Sequence, residues 1–254
     1  MAPRVDDTPP PYDTLVFDCD STLARIEGVE ELAGARRAEI EEMTARAMDG
    51  EIALEEVYGR RLELVRPTRA QVERVGRAYV AQAAPRAREL ITALRALDKR
   101  VAIVSGGLLP AVRVLAQALG VAAADVHAVD VWFDAEGGYA GFDAGSPLAR
   151  SGGKVALLAR IAAAPAAGRV ALVGDGVTDL EAARHAARFV AFGGFVRRAA
   201  VFARAAVACD VPDFAALAPL LLAPGELAAL AARGGHVALL RAAAPHLPLR
   251  QHRG

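Results

Sequence analysis

Long apolar segments and net charge are both missing from this 254-residue sequence. No run of 18 apolar residues occurs, because Pro219, Pro224, Glu226 and Arg233 interrupt the most apolar region. A helix needs about 20 apolar residues to span a bilayer, so we expect no transmembrane helix and no membrane partner. The 30 basic and 30 acidic residues cancel. The chain therefore lacks the positive field that attracts nucleic acid, and we expect no nucleic-acid partner.

Cysteine and a secretory leader are also lacking. Cys19 and Cys209 are the only two cysteines, and they form no disulfide framework. Residues 1–11, MAPRVDDTPPP, contain no apolar core of a signal peptide, and we predict that they are a disordered lead-in. Reduced thiols and this N-terminus favour a cytoplasmic location.

Lysine is nearly absent, since Lys99 and Lys154 are the only two among 30 basic residues. Lys154 follows two glycines at the predicted start of a helix. The dipole of a helix disfavours a positive charge at that end. Its position therefore favours a functional role for Lys154 over a place on the surface.

The sequence does contain an alternation of strand and helix patterns. A short β-prone run precedes Asp18, and residues 28–82 then carry three helical patterns with no strand between them. Thr68 is a candidate N-cap for the third of these helices. From residue 85 onward strands alternate with helices, which predicts a parallel sheet with helices on both faces.

Two further segments stand outside this alternation. Residues 131–142 carry the pattern of a β-hairpin around two glycines, and we expect Trp132 to pack the hairpin against the sheet. Residues 224–254 are predicted to be an appended helical segment with a polar tail.

Four polar motifs fall where strands end or a helix begins. Asp18 and Asp20 follow the first strand, and Lys154 begins a helix. The second and third strands are followed by Ser105, Gly106 and Gly107, and by Asp175, Thr178 and Asp179. Ligands of open α/β sheets bind outside the carboxyl ends of the strands, so we expect these motifs to share one crevice.

Carboxylates this close together repel one another, and each disfavours ionisation of the next. A hard cation such as Mg2+ relieves that repulsion, and proteins commonly hold Mg2+ with one or two carboxylates together with a substrate phosphate. Glycine N–H groups and a lysine suit the phosphate. The pattern therefore predicts a metal and phosphate site. Asp18 would attack phosphorus, and Asp20 would act as a general acid and then as a base.

The segments "FDCDST", "VSGG", "SGGK" and "GDGVTDLEA" resemble the four motifs of the haloacid dehalogenase superfamily, in the same order. The chain resembles the phosphoserine phosphatase family within it more closely still, because "IEGVEELA", "EEMTARAMDGE", "YAGFD" and "FGGFV" also match. The resemblance covers roughly residues 12–222.

The resemblance implies an α/β fold: a Rossmann-like three-layer core with a parallel sheet, and a small helical-bundle cap inserted after the first strand. The implied core comprises residues 12–24 and 84–222, and the implied cap comprises residues 25–83. Residues 223–254 have no counterpart in the family, and the oligomeric state, monomer or homodimer, stays open.

It also implies a Mg2+-dependent phosphomonoesterase that converts a small-molecule phosphate ester, O-phospho-L-serine, to serine and phosphate through an aspartyl-phosphate at Asp18. The implied metal ligands are Asp18, the backbone carbonyl of Asp20, and Asp175, and Asp179 supports Lys154 and the metal shell. The implied phosphate-binding residues are Ser105, Gly106, Gly107 and Lys154. The implied substrate-facing residues are Glu27, Arg61, Met48 and Thr178. Glu27 would bind the substrate ammonium. Arg61 would bind the carboxylate, to which a guanidinium fork is suited.

Three positions depart from the family pattern, namely Val129, Asp130 and Phe195. They leave open a phosphatase or phosphotransferase for another small phosphorylated metabolite. A carbon–halogen hydrolase is a further alternative, although such enzymes typically lack the second aspartate. A non-catalytic receiver module is another, although the helical insert argues against it.

Overall fold

A parallel β-sheet forms the centre of the computed structural model, which describes residues 9–48 and 51–247 apart from the side chains of Ala47 and Met48. The strands are β1 (Thr14–Phe17), β2 (Arg100–Leu108), β3 (Val126–Val129), β4 (Val131–Phe133), β5 (Tyr139–Phe142), β6 (Val170–Gly174), β7 (Arg188–Phe192) and β8 (Val207–Cys209). In this described part, six strands pair in the order β3-β2-β1-β6-β7-β8, each with a parallel neighbour. All four residues of β1 are buried, as expected for a sheet covered on both faces.

Helices cover this sheet and fill the connection that follows β1. They are α1 (Gly28–Leu32), α2 (Arg37–Met48), α3 (Leu54–Val65), α4 (Arg69–Ala81), α5 (Ala87–Ala96), α6 (Leu109–Leu119), α7 (Gly153–Ala163), α8 (Val177–Ala182), α9 (Ala199–Phe202), α10 (Ala218–Leu221), α11 (Pro224–Arg233) and α12 (Val237–Ala243). The predicted α/β fold with a parallel sheet is confirmed.

The helical connection between β1 and α5 differs from its prediction at one point. Gly34 has a φ of 52°, a left-handed conformation that an α-helix does not continue through. A 3-10 turn at Gly34–Arg36 therefore separates α1 from α2, and the described residues form four helices here instead of the three expected. Thr68 caps α4 as predicted, since its Oγ1 accepts a hydrogen bond from Gln71 N at 3.3 Å.

The same connection packs both on itself and on the rest of the chain. A small apolar cluster joins α1 to α2; its members are Val29, Ala33, Ile40 and Met43. Helix α4 lies so close to α6 that a Cβ at Gly76 would meet the Val114 side chain at 2.9 Å. An antiparallel bridge between Ala24 and Ala83 closes the base of the connection. The boundaries of a separate cap, residues 25–83, stay a prediction.

The predicted hairpin is confirmed as β4 and β5, but the expected packing of Trp132 is wrong. Its side chain is 52% exposed, while Val131 beside it is buried, because successive side chains of a strand point to opposite faces. The indole ring covers Gly141 on the partner strand, where a Cβ would lie 3.4 Å from the ring. Trp132 therefore shields a glycine of the hairpin and not the sheet.

The C-terminal helices attach to the edge of the sheet where β1 and β2 begin. Lys99, just before β2, is 8% exposed. Its Nζ lies 2.5 Å from Oε1 of Glu226 in α11 and donates to the Tyr12 carbonyl before β1. Arg233 at the end of α11 donates to the Ala96 carbonyl. Since ligands bind at the carboxyl ends of the strands, this segment lies at the opposite edge from the predicted site.

The two ends of the chain are described only in part. Most of the predicted disordered lead-in, residues 1–11, and the last part of the predicted tail fall outside the described residues. Within residues 9–48 and 51–247, none of the helices has both the length and the apolar character needed to cross a bilayer.

We expect Glu226→Leu to destabilise the fold by about 3 kcal/mol, because it leaves the buried Lys99 ammonium without its carboxylate. The double variant Lys99→Met/Glu226→Leu removes both charges and should recover more than half of that loss. Urea denaturation of the wild type and both variants measures the free energies of unfolding. Equal losses in the single and double variants would mean that the ion pair does not hold this segment.

Candidate active site

Three neighbouring strands, β2, β1 and β6, present polar side chains at the same edge of the sheet. Asp18 directly follows β1, and Asp175 directly follows β6, which pairs with β1. The Asp18 N–H donates to Val173 O at 3.0 Å, so Asp18 continues the hydrogen-bond ladder between the two strands. Ser105 lies near the end of β2, the other neighbour of β1. The parallel sheet therefore fixes these side chains side by side.

One cavity at this edge brings together residues from all of the predicted motifs. The predicted site residues that line it are Asp18, Asp20, Glu27, Arg61, Gly106, Gly107, Lys154, Asp175 and Thr178. Thr44, Tyr58 and Arg150, which were not predicted, line it as well. The sheet supplies one wall of this cavity, and helices α1–α3 supply the other.

Lys154 holds two of the carboxylates. Its Nζ lies 2.8 Å from Asp18 Oδ1 and 2.8 Å from Asp179 Oδ1. Burial alone would lower the pKa of Lys154, but Asp179 and Asp18 raise it above its usual value. The ammonium is therefore charged throughout the physiological range and is directed at Asp18.

Two glycines place the helix that carries Lys154. Gly152 has a φ of 74°, a conformation that glycine adopts without strain. A Cβ at Gly153 would lie 1.7 Å from the Pro147 carbonyl oxygen, so a larger residue would push the start of α7 away. The "SGGK" sequence thus lets α7 begin close enough for Lys154 to reach Asp18.

The carboxylates of Asp18, Asp175 and Asp179 form a buried cluster in which one oxygen of each lies within 4.8 Å of the others. Burial, followed by the charge of Asp18, raises the pKa of Asp175 to about 6 and that of Asp179 to about 7. Several carboxylate oxygens at one point are the donor set that hard divalent cations prefer. The cluster therefore fits a metal ion. It includes the Asp179 carboxylate, which the sequence analysis treated only as support.

Asp20 lies beside this cluster and receives hydrogen bonds from three donors. Its Oδ1 accepts from Tyr79 Oη at 2.5 Å and from Gly28 N at 2.7 Å, and its Oδ2 accepts from Ser105 Oγ at 3.2 Å. Burial and the charge of Asp18 raise the pKa of Asp20, although the hydrogen bonds oppose the shift. A raised pKa suits a carboxyl group that must carry a proton.

The Ser105 turn is built around close backbone approach. Ser105 Oγ accepts from Gly107 N at 2.9 Å, and a Cβ at Gly107 would lie 3.0 Å from Asp20 Oδ2. The Gly106 carbonyl accepts from Tyr58 Oη, a residue of α3, at 2.7 Å. Glycine at position 107 therefore allows the close approach to Asp20, and the Gly106 carbonyl joins this segment to the facing helix.

The predicted substrate residues lie on the helical wall and at the start of α8. Glu27 Oε1 accepts from Ser21 Oγ at 2.6 Å, and Glu27 faces the cavity. Burial, and then the charges of Asp20 and Asp175, raise the pKa of Glu27 well above its usual value. Thr178, in α8, lines the same cavity. The side chain of Met48 lies outside the described residues.

Arg61 is buried on α3, with 5% of its surface exposed. Its Nη1 donates to Thr44 Oγ1 at 2.9 Å, and its guanidinium carbon lies 5.5 Å from the centre of the Tyr58 ring. Its Nε is buried and, among the described residues, has no hydrogen-bond acceptor. A buried donor without an acceptor is costly in a folded protein, which makes Arg61 a candidate ligand-binding residue.

Sequence analysis missed Arg198. Its Nε donates to Asp175 Oδ2 at 2.9 Å, and its Nη2 lies 3.6 Å from Glu27 Oε1. Its charge lowers the pKa values of both acids against the effect of burial. The neighbouring Arg197 is exposed and stacks on Phe202. In the sequence "FVRRAA" the two arginines look alike, so only the fold distinguishes them.

The three positions that depart from the family pattern do not line the cavity in the described structure. Asp130 Oδ1 accepts from the backbone N–H of Val131, and Val129 is buried in the core. The Phe195 ring lies 5.3 Å from that of Phe192. Their substitution therefore changes packing and turns around the site more than its lining.

Comparison with known proteins places this chain among hydrolases. Residues 12–187 match the haloacid dehalogenase-like hydrolase family. Phosphoserine phosphatase of Homo sapiens is 37% identical over 188 residues, which span 73% of this chain and 84% of the human protein. The chloroplastic phosphoserine phosphatase of Arabidopsis thaliana is 36% identical over 198 residues, which span 76% of this chain and 67% of the plant protein.

Solved structures agree on the fold. A phosphoserine phosphohydrolase-like protein from Francisella tularensis superposes with a TM-score of 0.70 at 23% identity, covering 85% of this chain and 98% of that one. A substrate-bound phosphoserine phosphatase complex gives a TM-score of 0.71 at 23% identity, covering 82% of this chain and 98% of the other.

We expect Arg198→Met to lower the free energy of unfolding of the metal-free protein by about 3 kcal/mol at pH 8, because it removes the cation that pairs with both Asp175 and Glu27. At pH 5 the loss should be much smaller. Both acids have raised pKa values in the folded state, and removing Arg198 raises them further. Protonation at low pH therefore relieves the penalty that ionisation imposes at high pH.

The exposed Arg197→Met is the matched control and should lose less than about 1 kcal/mol at either pH. Urea denaturation in EDTA at the two pH values measures both variants. A loss for Arg198→Met that is equal at pH 5 and pH 8 would contradict the assigned electrostatic role.

Proposed function

The chain belongs to the haloacid dehalogenase-like hydrolase family, and we propose that it hydrolyses O-phospho-L-serine to serine and phosphate. The family match and the 37% identity to a curated phosphatase make it a phosphoric monoester hydrolase. One observation carries the proposed mechanism. Asp18, paired with a buried lysine, and Asp20, whose pKa is raised, face the same cavity.

In the proposed first half-reaction, the Asp18 carboxylate attacks phosphorus and the bond between phosphorus and the serine oxygen breaks. Asp20 gives its proton to that leaving oxygen, so serine departs as an alcohol. The product is an aspartyl-phosphate on Asp18. Burial and the nearby charge of Asp18 raise the pKa of Asp20, which favours the protonated form that this step needs.

In the second half-reaction, Asp20 is ionised and takes a proton from a water molecule as that water attacks the aspartyl-phosphate. The bond between phosphorus and the Asp18 oxygen breaks, inorganic phosphate forms, and Asp18 returns as a carboxylate. Negative charge spreads over the phosphoryl oxygens in both transition states. The ammonium of Lys154, the Ser105 hydroxyl and the N–H groups of Gly106 and Gly107 are proposed to stabilise it.

We propose Mg2+ as the cofactor, with Asp18, the Asp20 backbone carbonyl and Asp175 as ligands. The buried carboxylate cluster supports a divalent cation. When bound, Mg2+ neutralises these carboxylates and polarises the phosphoryl group. Asp179 is proposed to orient Lys154, to which it is hydrogen-bonded at 2.8 Å.

Residues 25–83 are proposed to act as a cap that closes over the substrate and excludes water. Two hydrogen bonds at the start of α3 support this role: Leu54 N donates to Ser151 Oγ at 3.0 Å, and Ser151 N donates to Glu55 Oε2 at 2.8 Å. Ser151 precedes the glycines that position Lys154. The helical wall is therefore joined directly to the segment that begins α7 and carries Lys154.

The amino-acid end of the substrate is proposed to bind the helical wall. Glu27 would pair with the substrate ammonium and Arg61 with its carboxylate, while Thr178 and Met48 would border the substrate. A phosphatase or phosphotransferase for another small metabolite is the alternative, and the substrate panel below decides between them. We further propose a cytoplasmic monomer or homodimer.

Phosphoserine is expected to be hydrolysed with a kcat/KM at least about tenfold above that of phosphoethanolamine, which lacks the carboxylate, and of 3-phosphooxypropionate, which lacks the ammonium. Release of inorganic phosphate in the presence of Mg2+ measures all three, and EDTA should abolish the release until Mg2+ is restored. Faster hydrolysis of another small ester would leave the hydrolase class intact and exclude phosphoserine as the preferred substrate.

Glu27→Gln should lose most of the preference for phosphoserine over 3-phosphooxypropionate, because the neutral amide attracts an ammonium weakly. The exposed Glu31→Gln, in the helix that directly follows Glu27, is the matched control and should keep the preference. The ratio of kcat/KM for the two esters is the measurement. An unchanged ratio in Glu27→Gln would exclude Glu27 as the ammonium site.

Asp20→Asn is expected to reduce phosphoserine turnover by about 10³-fold or more, because its leaving alkoxide needs the proton. With p-nitrophenyl phosphate the leaving group is far more acidic and needs no proton, so only the second half-reaction should fail. Stopped-flow absorbance should then show a burst of nitrophenolate close to one equivalent, followed by slow release. A variant without a burst and with equal losses on both esters would contradict the two roles of Asp20.

A further inference from the structure

Thr44 is a buried hydroxyl on the helical wall that the mechanism above does not use. We propose that Thr44 is a positioning residue that orients Arg61, so that one edge of the guanidinium faces the substrate carboxylate. Thr44 would thereby set the preference for phosphate esters that carry a carboxylate. The inference rests on the proposed function, because it assumes that the substrate offers a carboxylate to Arg61.

The hydrogen bonds of Arg61 carry this inference. Thr44, in α2, is 3% exposed, and its Oγ1 accepts from Arg61 Nη1 at 2.9 Å. A guanidinium can grip a carboxylate with Nε and Nη2, the pair of donors on its other edge. Nε is buried without an acceptor among the described residues. Thr44 thus engages the nitrogen that this grip does not need, while Nε on the matching edge keeps no acceptor among the described residues.

The face of the same guanidinium is fixed from a second direction. The Tyr58 ring lies under it, 5.5 Å from the guanidinium carbon, and Tyr58 Oη donates to the Gly106 carbonyl at 2.7 Å. Gly106 belongs to the proposed phosphate-binding turn. Thr44 and Tyr58 together therefore set the orientation of Arg61, and Tyr58 links its position to Gly106.

Arg61 differs from Lys154 and Arg198 in having no acid in a salt bridge with it among the described residues, which points to an anionic ligand there. Lys154 and Arg198 each form salt bridges with buried carboxylates of the protein. Within the described part of the chain, no salt bridge joins Arg61 to an acid. A buried cation without a counter-ion is costly, and pairing it recovers part of that cost. An incoming carboxylate is the group that meets this requirement.

The orientation of Arg61 should depend on the hydroxyl of Thr44 and not on the shape of its side chain. Valine has nearly the shape of threonine but offers no hydrogen-bond acceptor. In Thr44→Val, Arg61 Nη1 would lose its acceptor, and the guanidinium would no longer be held in one orientation. Serine keeps the acceptor and loses only a methyl group. The pair of variants therefore separates orientation of Arg61 from simple packing on α2.

We expect Thr44→Val to raise KM for phosphoserine about tenfold with kcat within about twofold, because binding of the carboxylate is lost equally in the ground and transition states. KM for phosphoethanolamine, which has no carboxylate, should change less than about twofold. Thr44→Ser should restore most of the phosphoserine KM. Equal changes in KM for the two esters, or a failure of serine to restore it, would overturn the proposal.

A double-mutant cycle with Arg61→Met tests whether Thr44 acts through Arg61. In the Arg61→Met background, Thr44→Val should add no further rise in the phosphoserine KM, since the group it orients is gone. Additive effects would overturn the proposal. If the wild type itself does not prefer phosphoserine to phosphoethanolamine, the proposed function is wrong. The activity of the wild type on the two esters therefore distinguishes a failure of the proposed function from a failure of the proposal about Thr44. The exposed Arg60→Met serves as the matched control for Arg61→Met.

Discussion

The site depends on the crowding of negative charge at one edge of the sheet. Asp18, Asp175 and Asp179 place carboxylate oxygens within 4.8 Å of one another in a buried region, an arrangement that repulsion and burial both oppose. Lys154 compensates two of these acids and Arg198 the third. The remaining excess of negative charge explains why the site suits a divalent cation and, through that cation, a phosphoryl group.

The two walls of the cavity have different tasks. The sheet wall supplies the groups proposed for phosphoryl chemistry, and parallel pairing of β1 with β2 and β6 fixes their spacing. The helical wall supplies Glu27, Thr44 and Arg61 to the lining of the cavity, and we propose that they face the rest of the substrate. Tyr58 joins the walls through Gly106. This division explains how one chemistry can serve different substrates in a family, since selectivity changes on the helical wall leave the reacting groups in place.

Much of this arrangement could be predicted from short sequence motifs. Parallel strands end at the same edge of a sheet, so Asp18, Asp20 and Asp175, which follow such ends, could be assigned to one crevice from their positions in the sequence. Lys154 could be added because it begins a helix after two glycines. Arg198 could not, because its role depends on how the turn after β7 directs one of two successive arginines. The prediction for Trp132 was wrong for a similar reason. Alternate side chains of the hairpin lie on two faces, and the sequence does not show which face packs on the core.

The central claim is that Asp18 becomes esterified to phosphate during turnover. The most direct test quenches the protein during hydrolysis of phosphoserine with Mg2+ and then reduces it with sodium borohydride, which converts an aspartyl-phosphate to homoserine. Mass spectrometry of the peptide that contains Asp18 and Asp20 then locates the change. The account predicts homoserine at position 18 alone, and only when the substrate is present. Homoserine at position 20, or an unmodified peptide from an enzyme quenched in active turnover, would contradict it.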